Sequence, residues 1–122
     1  DKANKSDTAD TGWKNVTLTS DFTVYTNSTA RYRKIGKLVE IRGAITPIQE
    51  IAANNNTIAF TMPAGYRPSS QVTQICQGSD MSRWALSVMI NGSVTVSRYG
   101  TTEKINISPS AWLIYHIMYF TD

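Results

Sequence analysis

This sequence has little of what most catalytic or secreted small domains rely on. It holds one cysteine and one histidine, and only 17% of its residues are charged. A lone Cys76 cannot close an intramolecular disulfide, so packing, a metal or assembly must hold the fold. One Cys and one His are too few for a recognisable metal cluster, and no metal or other cofactor is expected. No apolar run approaches the ~20 residues of a membrane-spanning helix, and the polar N-terminus does not read as a signal peptide. Neither membrane insertion nor nucleic-acid binding is expected. The net charge is +3 without a run of Lys or Arg. Arg31, Arg33, Lys34 and Lys37 are the densest basic group, and strand alternation is expected to scatter them rather than build a basic stripe.

Catalytic constellations are also missing. A glycosidase needs two carboxylates facing each other across a cleft, and no local motif supports Asp80 with Glu103. There is no Gly-x-Ser-x-Gly elbow. Cys76 and His116 could in principle form a nucleophile–base pair, but a cysteine inside a strand is more often a small buried apolar residue. A non-enzymatic protein is the reading that follows.

What the chain does have is uncharged polarity. Ser, Thr and Asn together make 35 of the 122 residues, a composition that suits a β-rich extracellular binding module. Asn-x-Ser/Thr triplets, among them those at Asn15, Asn27, Asn55, Asn91 and Asn106, are what chance provides in such a sequence. The length fits one domain. Residues 1–11 lack periodicity and read as a linker or neck remnant, and Gly12-Trp13 opens a domain over residues 12–122.

Period-2 patterns fill that domain. Trp13, Val16 and Leu18 suggest a first strand, and Phe22, Val24 and Tyr25 a second. Arg31 to Thr46 reads as a hairpin turning at Gly36-Lys37, with Val39, Ile41, Gly43 and Ile45 on one face and Glu40 and Arg42 on the other. Glu40 and Arg42, two apart on one face, are placed for cross-strand charge pairing with Arg33 or its neighbours. Pro47 should stop the strand. Ile48, Ile51 and Ala52 are the only helical candidate, a single turn. Thr57 to Met62 should be a strand with Ile58, Phe60 and Met62 on one side. Met62 to Ser70, with Pro63, Gly65 and Pro68, is a shaped crossing between two groups of strands, and its Tyr66-Arg67 pair is expected to brace the fold. Gln71 to Gly78 follows as a strand of mixed pattern. Trp84, Leu86, Val88 and Ile90 lead into Asn91-Gly92, the signature of a type I′ hairpin. Val94, Val96 and Arg98 return, and Ile105 with Ile107 make a short strand.

The last strand, Trp112 to Phe120, is apolar on both faces. Antiparallel strands normally turn one face to water. Such a strand is either central to a barrel with extra cover or faces another subunit, for which cyclic symmetry is the default. One of its faces found open to solvent in a single subunit would remove that argument. Short antiparallel strands with frequent turns give an all-β sandwich or barrel.

One weak cluster carries binding chemistry. Asp80 and Arg83-Trp84 lie on one arm of the Asn91-Gly92 hairpin, and Arg98-Tyr99 on the other, at the end opposite the turn. Aromatic rings stack on sugars, and Asp or Arg side chains bridge adjacent hydroxyls. Core packing is the plainer role for Trp84. His116, between Ile114 and Met118, reads as a satisfied core or interface histidine, or as a partner for a sugar hydroxyl at a subunit boundary.

Three segments carry a family resemblance: Tyr32-Arg33-Lys34-Ile35-Gly36 with Val39-Glu40-Ile41-Arg42-Gly43, then Met62-Pro63-Ala64-Gly65-Tyr66-Arg67-Pro68, then Ile90-Asn91-Gly92-Ser93-Val94. From about Gly12 onward the chain resembles the C-terminal head domains of receptor-binding and other tail-tip (baseplate) proteins of siphophages and prophages of Gram-positive bacteria. The resemblance implies a compact antiparallel β-barrel head that forms homotrimers in the virion. Such heads bind bacterial cell-wall saccharides during host adsorption, often between protomers, without nucleotide, metal or covalent chemistry. Other baseplate or tail proteins would be met through the N-terminal side. The shared motif is scaffold, so it assigns no saccharide contacts. The alternative role is a structural trimerising cap of a tail fibre that does not touch the receptor.

Overall fold

A computed structural model describes residues 9–52, 55–79, 82–100 and 106–121. They form nine strands: β1 (Lys14–Asn15), β2 (Phe22–Val24), β3 (Ala30–Ile35), β4 (Leu38–Pro47), β5 (Thr57–Thr61), β6 (Val72–Gln77), β7 (Arg83–Val88), β8 (Ser93–Gly100) and β9 (Leu113–Phe120). All pairings between strands are antiparallel. One sheet runs β1-β3-β4-β2 with β9 along the other edge of β4, and the second runs β5-β8-β7-β6.

The two sheets meet along two seams. On one, Gly78 bridges Leu113 and the Gln74 side-chain amide donates to the His116 carbonyl at 2.7 Å. On the other, the Thr19 amide donates to the Ala59 carbonyl and its hydroxyl to that of Ile58. The result is an all-β barrel closed from two sheets, as the strand count and turn spacing imply.

Alternation sends one side chain in two to the core. Val39, Ile41 and Ile45 from β4 meet Trp84, Leu86 and Val88 from β7, and all are fully buried. Trp84 donates from Nε1 to the Gln77 carbonyl at 2.9 Å, so its polar atom is satisfied inside. Phe60 and Trp84 both pack on the Tyr115 ring. The crossing braces the barrel as expected. Arg67 donates to the Met62 carbonyl, Tyr66 packs edge-on against Tyr32, and the Tyr119 hydroxyl donates to the Tyr66 carbonyl.

Several sequence expectations need correction. The 48–52 segment forms no helical turn; Ile51 instead bridges Ile107, which satisfies its backbone without a helix. A register shift between Ile58 and Phe60 turns Ile58 outward while Ala59, Phe60 and Met62 stay buried. The first strand shrinks to two residues, with Val16 and Leu18 packed as loop residues on the core. The Asn91-Gly92 turn is not type I′. Asn91 keeps a negative φ, Gly92 sits at φ 94°, and the Gly92 amide bonds the Met89 carbonyl. This is the three-residue loop in which a type I turn is followed by a left-handed glycine. Gly92 has a second constraint, because a Cβ there would run into the Met62 carbonyl and the Arg67 side chain. Ile105 lies outside the described residues, as do residues 1–8 of the expected linker; Ala9 and Asp10 make backbone pairings with the barrel.

The last strand is the largest correction. Leu113, Tyr115, Ile117 and Tyr119 are buried, but Ile114, Met118 and Phe120 are 49%, 54% and 70% exposed. Among the described residues, only one face of β9 is covered, and the inference of assembly from a doubly covered strand does not carry. In a single chain, an open apolar row is what both a bare surface and an uncovered interface present.

Candidate functional site

The hairpin β3–β4 sets the charge of the first sheet's outer face. Its two-residue turn pairs Ile35 with Leu38, which places Arg33 opposite Glu40 and Arg31 opposite Arg42. Alternation therefore gathers these arginines on one face rather than scattering them. Trp13, arriving just before β1, lies under all three guanidinium groups at 5.1, 4.5 and 5.9 Å for Arg31, Arg33 and Arg42. Such contacts attract a cation to the ring face.

Across this face runs a chain of ion pairs. Asp10 meets Arg33 at 3.4 Å, Arg33 Nε meets Glu40 at 2.9 Å, and the other Glu40 oxygen meets His116 Nε2 at 2.6 Å. Burial alone would raise the Glu40 carboxyl, but the hydrogen bonds from His116 and Arg33, with their charges, hold it below the usual glutamate value. His116 is thus a partner in a structural ladder.

Beside the ladder a groove of about 640 Å³ opens where β6 approaches β4 and β9. Arg31, Arg42, Gln74, Cys76, Tyr115 and His116 contribute to its walls. That volume is within the usual range for small-ligand sites. Tyr115 is 4% exposed, and burial drives its hydroxyl well above the usual tyrosine range. That hydroxyl and Arg31 Nε are buried without a hydrogen-bond partner among the described residues. Gly43 makes room for the hydroxyl: a Cβ there would lie 2.9 Å from it and 2.6 Å from the Thr29 carbonyl. The Cys76 thiol is buried and pushed up by that burial, the opposite of an activated nucleophile.

The second sheet's outer face carries a smaller trough of about 320 Å³, lined by hydroxyl and amide side chains with Arg98 at its edge. Its floor includes Ser87 and Ser97, and Thr73 bonds Ser87 at 2.9 Å.

The sequence-expected cluster divides among these places. Asp80 lies outside the described residues. Trp84 is core, and Tyr99 is only 7% exposed. The register shift between Arg83 and Ala85 and the positive φ of Arg98 break the alternation, so Arg98 points outward and Tyr99 inward. Arg83 is exposed and pairs through its backbone with Gly100. Of the expected residues, Arg98 lines the trough and His116 the groove. Sequence reasoning missed Arg31, Arg42 and Tyr115. The signal for the two arginines was present, because a turn at Gly36-Lys37 fixes Arg31 opposite Arg42.

No protein-family model matches the chain, and no curated protein matches it. Among solved structures, the chain is similar to the crystal structure of the head domain of phage bIL170, discussed as a common fold for receptor-binding domains of lactococcal phages. The TM-score is 0.68 at 13% identity, covering 88% of this chain and 96% of the other. The chain therefore has the fold of a phage receptor-binding head domain.

Proposed function

We propose that this domain is the head of a phage receptor-binding protein, non-catalytic, which recognises a bacterial cell-wall saccharide during host adsorption. The observation that carries the reading is the likeness to a receptor-binding head over 88% of the chain. The groove between β4, β6 and β9 is the proposed saccharide site. It offers the guanidinium groups of Arg31 and Arg42 and the Gln74 amide, groups of the kind that bridge sugar hydroxyls. The domain would act in the virion, at a tail tip or baseplate, as a homotrimer whose N-terminal side meets other tail proteins. A single site of this kind binds weakly, and several heads on one particle raise avidity through effective concentration. Titration of the isolated domain with cell-wall fragments of Gram-positive hosts tests this. Saturable binding is expected; no binding to any fragment would refute it.

The open row Ile114, Met118 and Phe120 favours a second reading, a trimerising cap whose receptor contact lies elsewhere. Contiguous exposed apolar side chains mark interaction surfaces. Both readings expect light scattering to report roughly three times the 13.5 kDa of one chain. Only the first expects wall fragments to bind.

A further inference from the structure

We infer that Glu40 is a positioning residue: it fixes the His116 ring in one orientation and one tautomer, with the proton on Nε2, and leaves Nδ1 as an acceptor for a donor group of the bound ligand. The inference rests on the receptor-binding reading for the ligand, but not for the tautomer.

The strand register places the contact. His116 stands directly opposite Arg42 on β4, and Glu40 opposite Met118 on β9. The imidazole therefore reaches diagonally along the outer face to meet Glu40 rather than its own cross-strand neighbour. Its Nε2 lies 2.6 Å from Glu40 Oε2. The carboxylate is not free to follow the ring. Its other oxygen accepts from Arg33 Nε at 2.9 Å, and Arg33 is itself held by Asp10 and by the Trp13 ring at 4.5 Å. The Glu40 side chain is 13% exposed, against 48% for that of His116. A covered, doubly bonded carboxylate thus orients a ring that is open to a ligand. The main chain of His116 is tied as well, because Gln74 donates to its carbonyl at 2.7 Å.

The tautomer follows from which groups can donate. Burial opposes ionisation of Glu40, but the bonds from His116 and Arg33 outweigh it and hold the carboxyl below its usual value. An ionised carboxylate can only accept, so Nε2 must be the donor. The hydrogen bond made by one ring nitrogen sets the state of the other, and in the neutral ring Nδ1 is left with a lone pair. Nδ1 makes no hydrogen bond among the described residues, and the ring lines the groove. The guanidinium groups of Arg31 and Arg42 nearby only donate, so Nδ1 supplies the acceptor that they lack.

The chain has a single histidine among its 122 residues, so ring-nitrogen NMR of the isotope-labelled full chain gives one unambiguous pair of signals. On the basic limb of a pH titration, wild type should show Nε2 as the protonated nitrogen and Nδ1 as the lone-pair nitrogen. Glu40→Gln, whose amide can accept or donate, should draw the two signals towards their average. A wild-type proton on Nδ1, or an unchanged pattern in Glu40→Gln, would overturn the inference. The wild-type arm decides this whether or not the variant folds. Host wall fragments give the second readout. Added to wild type, they should shift the Nδ1 signal and leave Nε2 nearly in place. His116→Gln carries an amide to the Nε2 position and keeps the bond to Glu40, but has no group at Nδ1. It should bind the fragments about fivefold more weakly, the loss of one hydrogen bond. Equal binding by wild type and His116→Gln overturns the acceptor role and leaves the receptor reading standing. Failure of every fragment to bind wild type sinks the receptor reading, while the ring spectrum alone still decides the tautomer.

Discussion

The two outer faces of this barrel share one core and carry different chemistry. The first sheet shows arginines on a tryptophan, a ladder of ion pairs and a row of bare apolar side chains. The second shows hydroxyls and amides over a floor of small residues. Inward positions are alike on both sheets: Val39, Ile41 and Ile45 are as buried as Trp84, Leu86 and Val88. Period-2 alternation lets these two sets of residues vary independently. A scaffold of this type can hold its fold at 13% identity while the outward residues take on new partners.

Breaking the shared core should have the largest effect. Trp84→Ala removes a side chain with 0% exposure and its bond to Gln77, and should cost about 3–5 kcal/mol, read as a drop in the urea midpoint. Gly43→Ala comes next. Its new Cβ would meet the Ala30 Cα at 2.7 Å and the Tyr115 hydroxyl, so about 1–3 kcal/mol should be lost.

The remaining predictions sharpen the contrast between the faces. Arg42→Gln on the first sheet should leave stability within about 0.5 kcal/mol yet sharply reduce binding of wall fragments in calorimetry. Glu40→Gln should give a pH-dependent difference. Because the folded Glu40 carboxyl is held below its ordinary value, its contribution is present above about pH 4.3. It is lost as pH falls through the lowered folded value. Wild type and variant should therefore differ in thermal midpoint at neutral pH and converge in acid. Thr73→Val on the second sheet should change least, with wall binding unaltered by the same calorimetry.

Much of the fold was legible because hairpins are local. The turn at Gly36-Lys37, the strand ending at Pro47 and the alternation through Trp84 and Val88 each follow from residues close in sequence. The corrections fall where alternation breaks. The bulge at Ile58 and the left-handed Arg98 each flip the side chains beyond them, and composition does not announce a bulge. Tyr99 turns inward for that reason. The groove was legible only in part. Arg31 opposite Arg42 follows from the turn, but the approach of β6 to β9 depends on how two sheets close. That contact joins Gln74 to His116 across 42 residues. The two apolar faces of β9 are legible in its pattern, but that one of them stands open, at Ile114, Met118 and Phe120, depends on what packs on the strand and not on its own residues.

One measurement bears most directly on the central claim that the arginine-bearing face is the receptor-binding one. Host cell-wall polysaccharide is titrated into wild type, Arg42→Gln and Thr73→Val side by side. Saturable binding by wild type and Thr73→Val, with strong loss in Arg42→Gln, is the expected result. Equal binding by all three, or loss confined to Thr73→Val, would contradict it.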